Sequence, residues 1–351
     1  MLLRRFLFGG IALALLLYLL LRPPTPGGEE SRLVEQQFAA MGTWFSVSVW
    51  LEDPEQRDAA KAAIDDVEAG LHAYSERWSP DGDGALARLN EELAAGERMT
   101  VPQPMRPLFR AAEDWRQRSN GAFDARTGAL VSLWGFDNEE DFAEAPPDDT
   151  QREALVAQLA EAPGYEGPEY GPEENVRWNF GAIAKGEAVA QASAALHEVG
   201  FAHHIVNAGG DLVVRGERGE RSWRVAVRHP RPGMAQTLLA AIEVGDEAVF
   251  TSGDYERFFE HEGRRYHHIV DPRDGQPARG LRSVTVVTED ATAADAVSTA
   301  IFVAGEDWRA MAERLGMDTV LVMHDDGSLG MTETARARFR MLADAPVREA
   351  P

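Results

Sequence analysis

Five strand-like segments crowd into one stretch of this chain, at 204–206, 212–215, 223–227, 239–244 and 283–288, while helical patterns cluster around that stretch. Apolar residues recur at spacings of three and four over 54–78 (Ala60, Ile64, Val67, Leu71, Tyr74, Trp78) and over 104–118 (Met105, Leu108, Phe109, Ala112, Trp115). Further helices are predicted at 185–199, 293–303 and 307–315, and one earlier strand at 44–50, where Phe45, Val47 and Val49 alternate with Ser46 and Ser48. Regular strand–helix–strand alternation is missing, and so is any repeat of fixed period. This segregation predicts a single α+β domain with mixed or largely antiparallel sheets flanked by helices. The acidic stretch 138–174, with its Pro and Gly residues, reads as a surface insertion.

The start of the chain is of a different kind. Arg4 and Arg5 precede sixteen uncharged residues, 6–21, which end at Arg22-Pro23-Pro24. The run is long for a signal-peptide core and lacks a clear small-x-small cleavage site, so it reads as an uncleaved signal anchor over 1–22, a cleaved signal peptide being the alternative. In both cases the body is expected outside the cytoplasm, by the positive-inside rule. Segment 23–37 reads as a tether and 38–351 as the folded domain. An excess of acidic side chains, 58 against 35 basic ones, gives a net charge of −23 and argues against a nucleic-acid partner. No cysteine is present, which excludes disulfides, thiolate catalysis, Cys-ligated metals and acylation of an N-terminal Cys. Any metal must sit on oxygen or histidine.

Four segments carry polar groups that a core does not need. Asn207-Ala208-Gly209-Gly210-Asp211 follows an apolar strand, and its glycines either let backbone amides approach a phosphate or form a tight hairpin turn. Asn179-Phe180-Gly181-Ala182-Ile183-Ala184-Lys185-Gly186 leads into a helix with a lysine in its first turn; that position disfavours a cation, so Lys185 points to an anionic neighbour or is a solvated surface group. Thr251-Ser252-Gly253-Asp254-Tyr255 precedes His267-His268-Ile269-Val270-Asp271-Pro272-Arg273-Asp274-Gly275-Gln276-Pro277, where His268 and Asp271 could present a proton-transfer group and a carboxylate at a cleft edge. In Ala294-Asp295-Ala296-Val297-Ser298-Thr299, Asp295 and Thr299 share a helix face, a half-site for a hard divalent ion such as Mg²⁺; alone, Asp295 reads equally as a helix cap. The HExxH, P-loop and G-x-S-x-G motifs do not occur.

Taken in order, Met41-Gly42-Thr43, the GALARLN segment at 84–90, Gly121-Ala122-Phe123-Asp124 leading to Leu133-Trp134-Gly135-Phe136, GAIAKG, NAGGD, TSGDY, HHIVDPRDGQP and ADAVST closely resemble the ApbE family of FAD:protein FMN transferases. The match is collinear over 41–305. The resemblance implies a single ApbE-like domain that binds FAD and Mg²⁺ outside the cytoplasmic membrane, cleaves the pyrophosphate, joins FMN to a Thr or Ser hydroxyl of a target protein, and releases AMP. It implies metal ligands at Asp295, Thr299 and Ala182, the last through its backbone carbonyl. It also implies FAD contacts at Lys185 and Asn179, at Met41, Ala85, Leu86, Ala87, Ala122, Phe123, Asp124, Val270 and Ser298, and chemistry near His268 and Asp271. Asn179 stands where the family commonly has Asp, and Arg126 departs from the smaller or β-branched residue expected there. The expected acceptor is an extracytoplasmic domain of a flavin-dependent electron-transport protein. An FAD pyrophosphatase and a non-catalytic FAD-binding protein are the alternatives.

Overall fold

A computed structural model describes residues 31–137, 143–231 and 238–348, and within them the chain opens on a hairpin of β1 (Leu33–Ala40) and β2 (Thr43–Trp50). Met41 and Gly42 join them with φ of 51° and 69°, the left-handed pair of a two-residue turn that twists with its strands. The predicted anchor over 1–22 lies outside the described residues. The tether over 23–37 is corrected at its C-terminal end: Leu33 pairs with Trp50 and the ladder runs on to Ala40 opposite Thr43. Its Glu and Gln residues hid the strand, because β1 forms the edge of the sheet and needs few inward apolar side chains. Among the described residues no helix is long and apolar enough to cross a membrane.

A 3₁₀ turn at Pro54–Gln56 leads into α1 (Arg57–Trp78), which buries the predicted stripe Ala60, Ile64, Val67, Leu71, Tyr74 and Trp78. Then come α2 (Ala85–Ala94), the short strand β3 (Met99–Thr100), α3 (Arg106–Arg118), α4 (Gly128–Leu133), α5 (Asp149–Glu161), β4 (Glu169–Tyr170) and α6 (Ala184–Glu198). The strand-rich stretch supplies β5 (His204–Ala208), β6 (Asp211–Arg215), β7 (Trp223–Arg228), β8 (Leu238–Val244), β9 (Ala248–Gly253), β10 (Phe258–His261), β11 (Arg264–His267) and β12 (Leu281–Thr288). The chain closes with α7 (Ala291–Ala304), α8 (Trp308–Leu315), β13 (Thr319–His324), β14 (Leu329–Met331), α9 (Glu333–Arg338) and β15 (Arg340–Met341).

Eight strands form one sheet in the order β1-β2-β5-β6-β9-β12-β13-β14, and every neighbouring pair is antiparallel. Side chains alternate across it. Phe45, Val47, Val206, Phe250, Val284, Val286, Val320 and Val322 join the helices in one core, while Val214, Val249, Val287, Leu321 and Met323 pack against the small sheet β15-β8-β7 on the opposite face. The α+β expectation with antiparallel sheets therefore holds. The stretch 138–174 is more than a surface insertion: α5 buries Arg152 and Leu159 and lies against the turn at Gly275, where an added Cβ would meet Arg152 Cγ at 2.8 Å and Val156 Cγ2 at 2.9 Å.

One buried polar contact sets a pH limit on this fold. His204 on β5 is fully enclosed, with Nε2 2.7 Å from Ser193 Oγ of α6 and Nδ1 2.8 Å from the Phe201 carbonyl. Burial first, then neighbouring cations, holds its pKa down at about 4, against the hydrogen bond to the Phe201 carbonyl. The unfolded imidazole takes a proton near its ordinary value, so the stability that neutral His204 contributes is complete above about pH 6.5 and is lost as pH falls toward 4. Melting temperature should fall steeply between pH 6.5 and 4.5, by the equivalent of about 2 kcal/mol for this residue. His204→Gln should flatten that slope in differential scanning calorimetry, and an unchanged slope would contradict the assignment.

Candidate functional site

Two tight turns meet at one end of the large sheet. The Gly209-Gly210 turn joins β5 to β6, with Ala208 opposite Asp211, so the hairpin reading of NAGGD is the correct local geometry. Gly209 donates its amide to the Trp44 carbonyl at 2.9 Å, and a Cβ there would meet Thr43 Oγ1 at 2.4 Å. The close approach draws the Met41-Gly42 turn against the start of β6. What the turn presents is Asp211. Its Oδ1 accepts from the Thr251 amide of β9 at 2.9 Å, its Oδ2 accepts from Lys185 Nζ, and its side chain is almost wholly enclosed. Lys185 therefore has the anionic neighbour that its place in the first turn of α6 implied. Burial works against its charge, but the carboxylates of Asp211, Glu256 and Asp295 outweigh it and raise its pKa.

The crossing of α6 and α7 completes this corner. Gly186 allows it: a Cβ at this position would lie 2.3 Å from the Ala291 carbonyl oxygen and 2.9 Å from Asp295 Cβ. The bared Gly186 amide donates to Asp295 Oδ2 at 2.9 Å. Asp295 is buried, and enclosure first, with Asp211 and Glu256 adding to it against the pull of Lys185 and the Gly186 amide, lifts its pKa to about 7. It is not the helix cap, a role filled by Asp290, whose Oδ1 accepts from the Ala293 amide at 3.0 Å. One turn on, Thr299 Oγ1 lies 3.2 Å from Ser252 Oγ of β9, which is also 2.8 Å from Ser298 Oγ. Ser298 in turn donates to the Asp295 carbonyl at 3.0 Å.

A second group of predicted residues is zipped onto the approach to α6. The Asn179 amide donates to the Ala125 carbonyl at 2.7 Å, and Thr127 bridges to Arg177. Trp178 and Phe180, each 1 % exposed, pack into the core with Phe109 and leave Asn179 between them turned outward. Asn179 Oδ1 accepts from the Gly181 amide at 2.8 Å, which shapes the turn carrying Ala182. Asn90 ties in α2, since its side chain donates to the Trp178 carbonyl at 3.0 Å and accepts from the Trp178 amide at 2.8 Å. Ala122, Phe123, Leu86, Ala87, Val270 and Ser298 are buried. Core side chains of this kind offer a ligand mainly their backbone. Arg126, the departure from the family pattern, is a clamp. Its guanidinium grips Asp124 through Nε at 3.0 Å and Nη2 at 2.6 Å, and Nη1 reaches the carbonyls of Ala162 and Pro163 at 2.8 and 2.9 Å.

The third group lies on the turn that follows β11. Asp271 heads a turn in which its Oδ1 accepts from the Arg273 amide at 2.9 Å, and the Arg273 guanidinium binds both carboxylate oxygens at 2.8 and 2.7 Å. Both oxygens of that carboxylate are thus bound by Arg273. His268 is half-buried with Nδ1 3.3 Å from the Arg257 carbonyl. Burial, then the charge of Arg257, with Lys185 contributing, pushes its pKa down to about 3, so the ring is neutral. Donation from Nδ1 to that carbonyl leaves Nε2 as an acceptor.

Asp211 and Ser252 belong to the site and are missing from the residues expected there, although NAGGD and TSGDY contain them. Their partners lie 26 and 47 residues away, at Lys185 and Thr299, a pairing that no local spacing reveals. The donor set around Asp295 is a carboxylate and hydroxyls, all hard oxygen, which suits Mg²⁺ and offers nothing to a soft metal. Among the described residues no group of three or more His, Asp or Glu side chains could hold an ion, so such an ion would take its remaining ligands from backbone, water or a bound phosphate.

The model of the ApbE family matches residues 41–321. The chain is 36 % identical over 317 residues to the FAD:protein FMN transferase of Rhodobacter capsulatus, covering 87 % of this chain and 58 % of that protein. It is 32 % identical over 343 residues to the FAD:protein FMN transferase of Treponema pallidum, covering 89 % and 92 % of the two chains. Among solved structures, the ApbE protein of Thermotoga maritima superposes with a TM-score of 0.78 at 30 % identity, over 88 % of this chain and 99 % of that one. The flavin transferase ApbE of Vibrio cholerae gives 0.76 at 28 %, over 87 % and 99 %.

Proposed function

The chain belongs to the ApbE family, and from that membership we propose that it is an FAD:protein FMN transferase, dependent on Mg²⁺, that modifies a Thr or Ser hydroxyl of an extracytoplasmic acceptor. The observation that carries the reading is the hydrogen bond from the Gly186 amide to Asp295, which ties the turn of α6 carrying Lys185 to the Asp295–Thr299 face of α7. In the reaction the acceptor hydroxyl oxygen attacks the phosphorus of the FMN half of FAD. The bond from that phosphorus to the bridging oxygen breaks, AMP leaves with the oxygen, and the hydroxyl proton departs.

Each residue has a part that its surroundings support. Lys185, kept charged by Asp211, presents an ammonium to the pyrophosphate oxygens. Asp295, Thr299 and the Ala182 carbonyl would hold the Mg²⁺, which supplies charge neutralisation at the phosphate oxygens when bound. Ser252 orients the Thr299 hydroxyl. Neutral His268 offers Nε2 to the acceptor's proton, whereas Asp271 shapes the turn behind it. Met41, Asn179 and the backbone around Ala85–Ala87 and Ala122–Asp124 line the nucleotide. Arg4, Arg5 and the apolar run 6–21 support a membrane anchor with the body on the outer side, facing flavin-dependent electron-transport proteins.

Product analysis tests the reading. With FAD, Mg²⁺ and an acceptor domain carrying the target Thr, flavin fluorescence should stay on the acceptor through denaturing electrophoresis, and AMP should appear in equal amount. Free FMN with no labelled acceptor would convert the reading to a pyrophosphatase. FAD binding with neither product would leave a binding protein.

A further inference from the structure

A cavity of about 280 Å³ opens on the side of β11 where His267, and not His268, points. Its floor is buried and uncharged: Ala278, Leu281 and His267, whose Nε2 is 2.9 Å from the Ala278 carbonyl and whose pKa burial holds down at about 4. Its rim carries Arg231, Arg265 and Arg279 against Asp254 and Asp325. Three arginines gathered round one cavity are notable in a chain of net charge −23.

The carboxylates present are already in use. Arg231 binds Asp254 through two contacts of 2.6 and 2.7 Å, and Asp325 Oδ2 accepts from the Gly280 amide at 3.0 Å. Arg265 Nη2 donates to Glu260 Oε1 at 3.2 Å, whereas its Nη1 lies 3.8 Å from Asp254 Oδ1, too far for a hydrogen bond, and is buried with no hydrogen-bond partner among the described residues. Arg279 donates only weakly, to the Arg265 carbonyl at 3.4 Å. Beside the cavity, Arg282 donates to the Asp325 carbonyl while its Nε is likewise buried and unpartnered. Burial, then the neighbouring charges of Arg264 and Arg231 respectively, lowers the pKa of Arg279 and Arg282. Of the three rim arginines, Arg231 and Arg265 are paired with Asp254 and Glu260, and Arg279 alone makes no ion pair among the described residues.

We propose that this cavity is an oxyanion site that takes one phosphate or carboxylate group on the guanidinium edges of Arg265 and Arg279, apart from the Lys185–Asp295 corner. An oxyanion supplies the acceptor that Arg265 Nη1 lacks, and planar guanidinium edges match it with paired hydrogen bonds. The volume admits a compact ion or the end of an acidic side chain, but not a dinucleotide. This site does not depend on the flavin-transfer reading.

Thermal shift of the whole protein, titrated with inorganic phosphate against chloride at constant ionic strength, tests it. Saturating phosphate should raise the melting temperature by roughly 2–4 °C, the size expected for a millimolar Kd in a domain this large. Arg265→Gln and, on the exposed rim, Arg279→Gln should each weaken phosphate at least tenfold, while Arg88→Gln on α2 should not. A parallel titration with glutarate separates the two sources: tighter phosphate marks a free-phosphate site, tighter glutarate a site for an acidic side chain. Absence of a shift with both anions, or equal shifts in all three variants, would overturn the proposal.

Discussion

Asp295→Asn should abolish flavin transfer, by on the order of 10³-fold in kcat/KM, while leaving the fold as stable as before or more so. The two halves of this result have one cause. A carboxylate buried to 4 % exposure beside Asp211 and Glu256 is an expensive group to keep ionised, and folding gains nothing from its charge that an amide could not supply. The substituted side chain could still accept from the Gly186 amide through its carbonyl oxygen, so the crossing of α6 and α7 survives. What it cannot do is hold a divalent ion with a full negative charge, and several kcal/mol of charge stabilisation at the phosphates disappear with it. Kinetics at several Mg²⁺ concentrations, paired with calorimetric melting at pH 8, measure both halves. Activity within tenfold of the parent would remove Asp295 from the metal site, and a large fall in melting temperature would show that its charge is structural.

The sequence disclosed most where a pattern is local. The stripe on α1 and the alternation in β2 follow from side-chain period alone, and the shared face of Asp295 and Thr299 follows from one helical turn. It disclosed least where the signal is a meeting of distant backbones. The strand β1 was hidden by its polar edge position, and α5 by an acidic composition that masked the burial of Arg152 and Leu159. Asp211 looked like the end of a glycine turn because Lys185 and Thr251, which give it meaning, are 26 and 40 residues away. His268 and Asp271, three residues apart, looked like one catalytic unit. Arg273 binds both oxygens of Asp271, a contact made within the turn itself that residue types alone did not reveal. Arg126 shows the converse: a departure from the family pattern at that position is a buried clamp on Asp124.

Gly186→Ala should cost more than any other single methyl group added to this corner. The new Cβ would sit 2.3 Å from the Ala291 carbonyl oxygen and 2.9 Å from the carbonyl carbon and from Asp295 Cβ, none of which is the free end of a flexible chain. Relief requires α6 to move off α7 by about 1 Å. Overpacking of this kind costs about 1–3 kcal/mol, and the movement also lengthens the bond from the Gly186 amide to Asp295. Because Lys185 travels with α6 and Thr299 with α7, the ammonium and the metal face separate, and a displacement of that size costs on the order of 10²-fold in rate. The reference is Gly70→Ala within α1, where nothing lies within 4 Å of the added Cβ. There the same methyl group should stabilise by up to about 1 kcal/mol through helix propensity and leave transfer unchanged. Calorimetry and flavin transfer measured on the two variants together decide the matter: matching behaviour would mean that the helix crossing does not set the site, whereas opposite signs in stability with loss of transfer in Gly186→Ala alone would place its geometry in the contact between these two helices.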